Sequence, residues 1–212
     1  MMMKFMYLLV ALFSATFAFG QNAKTILDQV SKKYDGYSTI QSDFTFKAAQ
    51  INGESYTDKG QLFLNKTANQ YKITLPSQDL ISDGKSTWSV LKQDKEVQVS
   101  DADNSSQAIG PNNIFTFYKN GYKIGSAKSE SAGSAGKLTA IDLTPEDTKS
   151  NYSKIQVRVN KNTHIHDVTI FDKSGAKYTY TINTLYVNSP IANTAFQFNK
   201  AKYPGFEVVD LR

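Results

Sequence analysis

Apolar and polar residues alternate with period two along most of this chain, the pattern of strands that bury one face and wet the other. Tyr71, Ile73 and Leu75, for example, alternate with Lys72 and Thr74. The alternation predicts strands over 43–49, 57–64, 70–75, 79–82, 86–91 and 96–100, then over 138–143, 154–160, 165–171, 178–182 and 195–198. Asp83-Gly84 lies between two of these runs and predicts a hairpin closed by a type I′ turn, because Asp and Gly accept positive φ at least cost. Asp172-Lys173-Ser174-Gly175 predicts another. About eleven strands exceed what one flat sheet holds comfortably, so the expected class is mainly β with a few helices (α+β): an incomplete, strongly curved antiparallel barrel.

One stretch keeps a helical period instead. Ile26, Leu27, Val30, Tyr34 and Tyr37 recur at three- and four-residue spacing, with Lys24, Asp28, Lys32 and Lys33 opposite, Asn22 as cap and Gly36 as stop. The period also fails between 101 and 122. Residues 101–106 read as loop, and Gly110-Pro111-Asn112-Asn113 as a turn leading into Ile114–Tyr118, one or two helical turns able to lie across the barrel mouth. Residues 126–136, rich in Ser, Ala and Gly, predict a flexible connection, and 203–209 an extended tail.

The amino-terminal residues read differently. Lys4, the apolar run from Phe5 to Phe17 and Ala18-Phe19-Gly20 form a secretory signal peptide over residues 1–20, cut before Gln21. The run is short for a bilayer span. Residues 21–212 are expected to form one domain, exported to the periplasm of a cell with two membranes or to the medium of a cell with one. The chain has no cysteine, so no lipid anchor is expected at Gln21 and stability must come from burial rather than disulfides. The formal charge is +5, with arginine only at positions 158 and 212. This is too mild and too scattered for a nucleic-acid partner.

Catalytic chemistry finds little support. There is no cysteine nucleophile and no serine elbow, and no pair of carboxylates stands out. His164 and His166 would share a strand face, the geometry of a two-ligand metal site, yet no third ligand is near, and two polar residues on a wet face is the simpler reading. No metal or cofactor is expected. The informative feature is an apolar set assigned to the inner face: Phe44, Phe46, Leu62, Leu64, Tyr71, Ile73, Trp88 and Val90. The helix, through Leu27 and Val30, and Ile114, Phe115 and Phe117 are expected to cover it. A barrel wider than the eight strands whose side chains just fill it leaves room for a ligand.

Gly60-x-Leu62-x-Leu64, Tyr71, Leu75-Pro76, Ser82-Asp83-Gly84-Lys85-x-x-Trp88, Val97-x-Val99, Phe196-x-Phe198 and Pro204-Gly205-x-Glu207-Val208-Val209 together resemble the LolA family of periplasmic carriers of outer-membrane lipoproteins. The resemblance implies an incomplete barrel with a helical lid and a hydrophobic hollow for acyl chains. It implies a monomer without enzymatic activity, acylated lipoproteins as cargo, an inner-membrane lipoprotein-releasing ABC transporter as loader and an outer-membrane receptor as acceptor. The family's arginine that holds the lid closed is replaced by Lys66, which keeps the charge without the planar fork of donors. Lys66 is the lid contact the resemblance implies. Other readings stay open: a lipid-binding or envelope-sensor protein on the same barrel that passes no cargo, or a carboxylate hydrolase with a polar cleft.

Overall fold

The computed structural model describes residues 17–102 and 110–212. Most of the expected leader, and most of the loop read at 101–106, lie outside them. Helix α1 (Phe17–Asp35) is followed by β1 (Thr39–Ala49), β2 (Ser55–Asn65), β3 (Gln70–Thr74), β4 (Gln78–Ser82), β5 (Ser86–Leu91) and β6 (Glu96–Asp101). After a 3-10 turn at Phe117–Lys119 come β7 (Tyr122–Ser131), β8 (Lys137–Pro145), β9 (Tyr152–Val159), β10 (Ile165–Asp172) and β11 (Lys177–Ile182). The short β12 (Tyr186–Val187) and β13 (Glu207–Asp210) complete the described elements.

All thirteen described strands join one curved, unclosed sheet, ordered β13-β6-β5-β4-β3-β2-β1-β11-β10-β9-β8-β7, with β12 also on β1. Pairing of β1 with β11 joins the two halves of the chain, Phe44 opposite Ile182 and Ala48 opposite Tyr178. Pairs are antiparallel except β13 with β6.

The Asp83-Gly84 hairpin forms between β4 and β5, but not as a type I′ turn. Only Gly84 takes positive φ, at 91°. Asp83 works through its side chain, whose Oδ1 accepts from the N–H groups of Lys85 and Ser86 at 2.9 and 2.8 Å. This Asx arrangement replaces the second left-handed residue. Helix α1 runs through Asn22 rather than starting there, so Asn22 is not its cap.

Three further expectations are corrected. Residues 126–131 are not a loose connection but part of β7, because the open edge of β8 offers a hydrogen-bond ladder that outweighs poor strand propensity. Residues 195–198 are not a strand: Asn193–Phe196 is a 3-10 turn that buries Phe196 completely. The tail read as extended over 203–209 turns at 203–205 and is extended only from Glu207, as β13.

The core lies on both sides of the sheet. On the concave side α1 contributes Ala23, Leu27, Val30 and Tyr34, all at most 1% exposed, to a cluster with Ile40, Leu64, Tyr71, Ile141, Leu143, Ile155 and Val157. Gly60 belongs to this face because the Phe44 ring lies directly over it; a Cβ there would sit 2.4 Å from that ring. A smaller convex core holds Ile81, Val90, Val97 and Val99, where the carboxyl-terminal segment returns across the sheet.

Candidate functional site

Strand register decides which side chains share the concave surface. Ser42 stands opposite Leu62, Leu62 opposite Ile73, and Val168 opposite Tyr180. Phe44, Leu62 and Ile73 from one half of the chain meet Ile165, Val168, Ile170, Tyr180 and Ile182 from the other around a cavity of about 270 Å³. Pro111, Ile114 and Phe115 close it from above. Among the described residues no lining side chain is charged, and the Ser42 hydroxyl donates to the Asp43 carbonyl at 3.2 Å. Burial pushes the Tyr180 phenol above its ordinary pKa. A partly open, apolar space of this kind accepts apolar guests.

The roof is moored at several points. Asn113 caps its first turn, its side-chain oxygen accepting from the Gly110 N–H at 2.8 Å. Phe115 stacks on Tyr34 of α1 with centroids 4.6 Å apart and planes 8° from parallel. Phe117 sets its ring edge to face with Tyr122 of β7. The Ser31 hydroxyl donates to that of Tyr118 at 3.2 Å, and burial pushes the Tyr118 phenol up to about 12. Lys119 and Asp35 form an exposed ion pair at 2.7 Å, a contact that adds little to stability. Lys66 reaches α1 rather than the 110–119 segment: its Nζ donates to the Tyr34 carbonyl near the helix end. Burial lowers the Lys66 pKa, and Asp35 partly restores it.

Of the residues assigned to the hollow from sequence, Phe44, Leu62, Ile73, Ile114 and Phe115 line it. Leu27, Val30, Leu64, Tyr71 and Phe117 lie in the adjoining apolar cluster, and Phe46 packs at its margin. Trp88 and Val90 are misplaced. Trp88 pairs with Ile81 and Val90 with Asp79, whereas Tyr71 and Ile73 pair with Ser82 and Leu80. Both therefore point to the convex side, where Trp88 stacks on Phe198 at 6.0 Å. The cause is parity: β4 must be entered at Leu80, not Ile81, to follow the inner face, and a one-residue error exchanges the faces of every later strand.

The two histidines do not share a face either. A register shift between Ile165 and Asp167 leaves His166 in a bulge. His166 Nδ1 meets Asp167 Oδ2 at 2.5 Å, while His164 Nε2 meets the Tyr37 hydroxyl at 2.9 Å. Among the described residues no group of three His, Cys, Asp or Glu is placed to hold a metal.

His164 also stands edge to face against Tyr34 at 5.9 Å, behind the ring that carries Phe115. Burial, then the Lys33 charge, lower its pKa from 6.5. A base with a depressed folded pKa binds fewer protons folded than unfolded, so its neutral form supports the fold above about pH 6.5 and that support is lost below it. Acidification from pH 7 to 5 is therefore expected to lower the unfolding midpoint. His164→Gln should flatten that slope in thermal scans; an unchanged slope would remove His164 from the account.

A curved, unclosed sheet with an uncharged hollow under a moored segment, beside a packed helix, is consistent with a LolA-like open barrel and helical lid. The family described as outer membrane lipoprotein carrier protein LolA matches residues 35–199, and the chain belongs to it. An uncharacterized conserved protein from Thermus thermophilus shares the fold at 11% identity and a TM-score of 0.57, over 89% of this chain and 99% of that one. A putative outer membrane lipoprotein-sorting protein domain from Vibrio parahaemolyticus is 14% identical with a TM-score of 0.46, covering 87% and 99%. The Mycobacterium tuberculosis lipoprotein LppX is 12% identical with a TM-score of 0.48, covering 80% and 98%. No curated protein matches the chain.

Proposed function

We propose that this protein is a periplasmic carrier that shelters the acyl chains of lipoproteins between the inner and outer membranes, using no chemical step. The observation that carries the reading is the uncharged, roofed hollow in a chain of this family. Exposing acyl carbons to water costs roughly 0.8 kcal/mol per CH₂, so unaided transfer across an aqueous gap is negligible. A carrier must replace that contact and still release its cargo. The hollow of about 270 Å³ lies below the usual range for small-molecule sites, about 300–1,000 Å³. A full acyl chain therefore needs more room than the hollow gives, and cargo that lifts the roof would shift a population between two forms. The secretory leader read from the sequence over residues 1–20 supports this compartment. An ABC transporter that releases lipoproteins would load the carrier, and an outer-membrane receptor would unload it.

The test is to isolate the protein from its native envelope and identify bound species by mass spectrometry. Acylated lipoproteins are expected with the natural chain. They should fall at least about tenfold with Ile182→Glu, which puts a charge against a hollow whose described lining holds no cation. Recovery of none by the natural chain, or of equal amounts by both, refutes the reading.

A further inference from the structure

The concave face does not end at the hollow. Phe44 and Tyr180, which line it, are two rungs of an aromatic series that continues toward the β1–β2 and β10–β11 hairpin tips. Phe46 lies 4.9 Å from Tyr180 and 6.3 Å from Tyr178, the latter pair within 5° of parallel. Tyr56 stands opposite Ala48, which stands opposite Tyr178, so all three share one transverse row on the concave side. Phe46 and Tyr178 are partly exposed and Tyr56 is 51% exposed. The series ends in polar atoms: the Tyr56 hydroxyl donates to the carboxylate of Asp58, which stands opposite Phe46. The carboxyl end of α1 is fastened at the other end of the sheet, by Lys66 from the β2–β3 turn and by Lys33 to the Asn162 carbonyl of the β9–β10 turn.

We propose that Phe46, Tyr178 and Tyr56 form an open second subsite, a track that holds the head-proximal part of an acyl chain whose methyl end fills the hollow, and that the ligand's polar head leaves the sheet at its outer edge, by Tyr56 and Asp58. The proposal rests on the acyl-binding reading above. Its occupant is set by continuity and size. The track runs from the wall of the hollow, and a chain of about fourteen carbons or more needs more than the 270 Å³ that the shut hollow offers. Aromatic rings suit the role because they present broad apolar area with little rotamer freedom to lose.

The test is calorimetric titration of octanoic, dodecanoic and hexadecanoic acids, below their micelle concentrations, into the protein and into a Phe46→Ser, Tyr178→Ser variant. The natural chain should gain up to about fourfold in affinity per added CH₂. The variant should match it for octanoic acid and fall at least tenfold short for hexadecanoic acid. A Phe46→Leu, Tyr178→Leu variant should recover most of that deficit, which separates apolar contact from misfolding. Equal chain-length dependence in all three proteins overturns the track while leaving the hollow intact. No binding of any acid by the natural chain overturns the carrier reading and the track with it. A drop in sedimenting mass on the serine substitutions marks the face as a contact between copies and also overturns the proposal.

Discussion

Tyr34→Ala is expected to cost about 3–5 kcal/mol, the usual range for removing a fully buried aromatic ring. Tyr34 is 0% exposed and sits where three parts of the molecule meet. Its ring carries Phe115 of the roof on one face and meets His164 and Tyr37 edge-on, while its carbonyl accepts from Lys66. Truncation leaves a void that Phe115 cannot fill without abandoning the hollow. At roughly 2–4 °C per kcal/mol for a protein of this size, the unfolding midpoint should fall by about 6–20 °C in circular dichroism scans. Tyr34→Phe keeps the ring and should stay within about 1 kcal/mol of the natural protein. If the alanine variant melts with the natural chain, the junction described here does not hold the roof.

The second large effect lies on the opposite face. Asp167 is fully buried and accepts from Arg158 through Nε at 2.8 and 3.0 Å and through Nη2 at 2.8 Å, with His166 at 2.5 Å as a further partner. The hydrogen bonds to Asp167 raise the Arg158 pKa above its ordinary value. Asp167→Ala leaves a guanidinium that is only 27% exposed with a long contact to Glu130, at 3.9 Å, as its acidic partner. Breaking such a pair costs about 3–5 kcal/mol, and Arg158's remaining access to water puts this one near ~3 kcal/mol. Replacing both partners together, with Arg158→Met and Asp167→Leu, should recover most of the loss, because the penalty is the poorly compensated charge rather than the missing attraction. Urea denaturation separates the cases: a double variant no more stable than the single one would show that the pair is not the cause.

Local signals in the sequence carry the strands and hairpins of the first half, since period-two alternation and turn residues act over a few positions. The hollow's first wall is legible for the same reason: Phe44, Leu62 and Ile73 lie on strands joined by short turns. Its second wall is not. Val168 and Ile170, like Tyr180 and Ile182, alternate just as clearly, but the bulge at His166 puts Ile165 out of step and their shared face is fixed by the pairing of β1 with β11, which nothing local encodes. Trp88 and Val90 show the opposite failure, in which alternation carried through a turn takes the wrong parity. The bulge at His166 is of the same kind, because one extra residue reverses a side chain without altering composition. Residues 126–131 become strand only because β8 presents an edge to them.

The parallel seam between β6 and β13 has a kinetic meaning. Val97 lies against Val208, so the edge of β6 waits for a segment more than a hundred positions downstream before its amides are sealed. Contacts of such separation form late, since the intervening loop must be closed first. Until then a bare β-edge is free to recruit strands from other molecules. The carboxyl-terminal segment is thus the cover of that edge, and a chain cut short before Glu207 is expected to show more light scattering on refolding than the natural one.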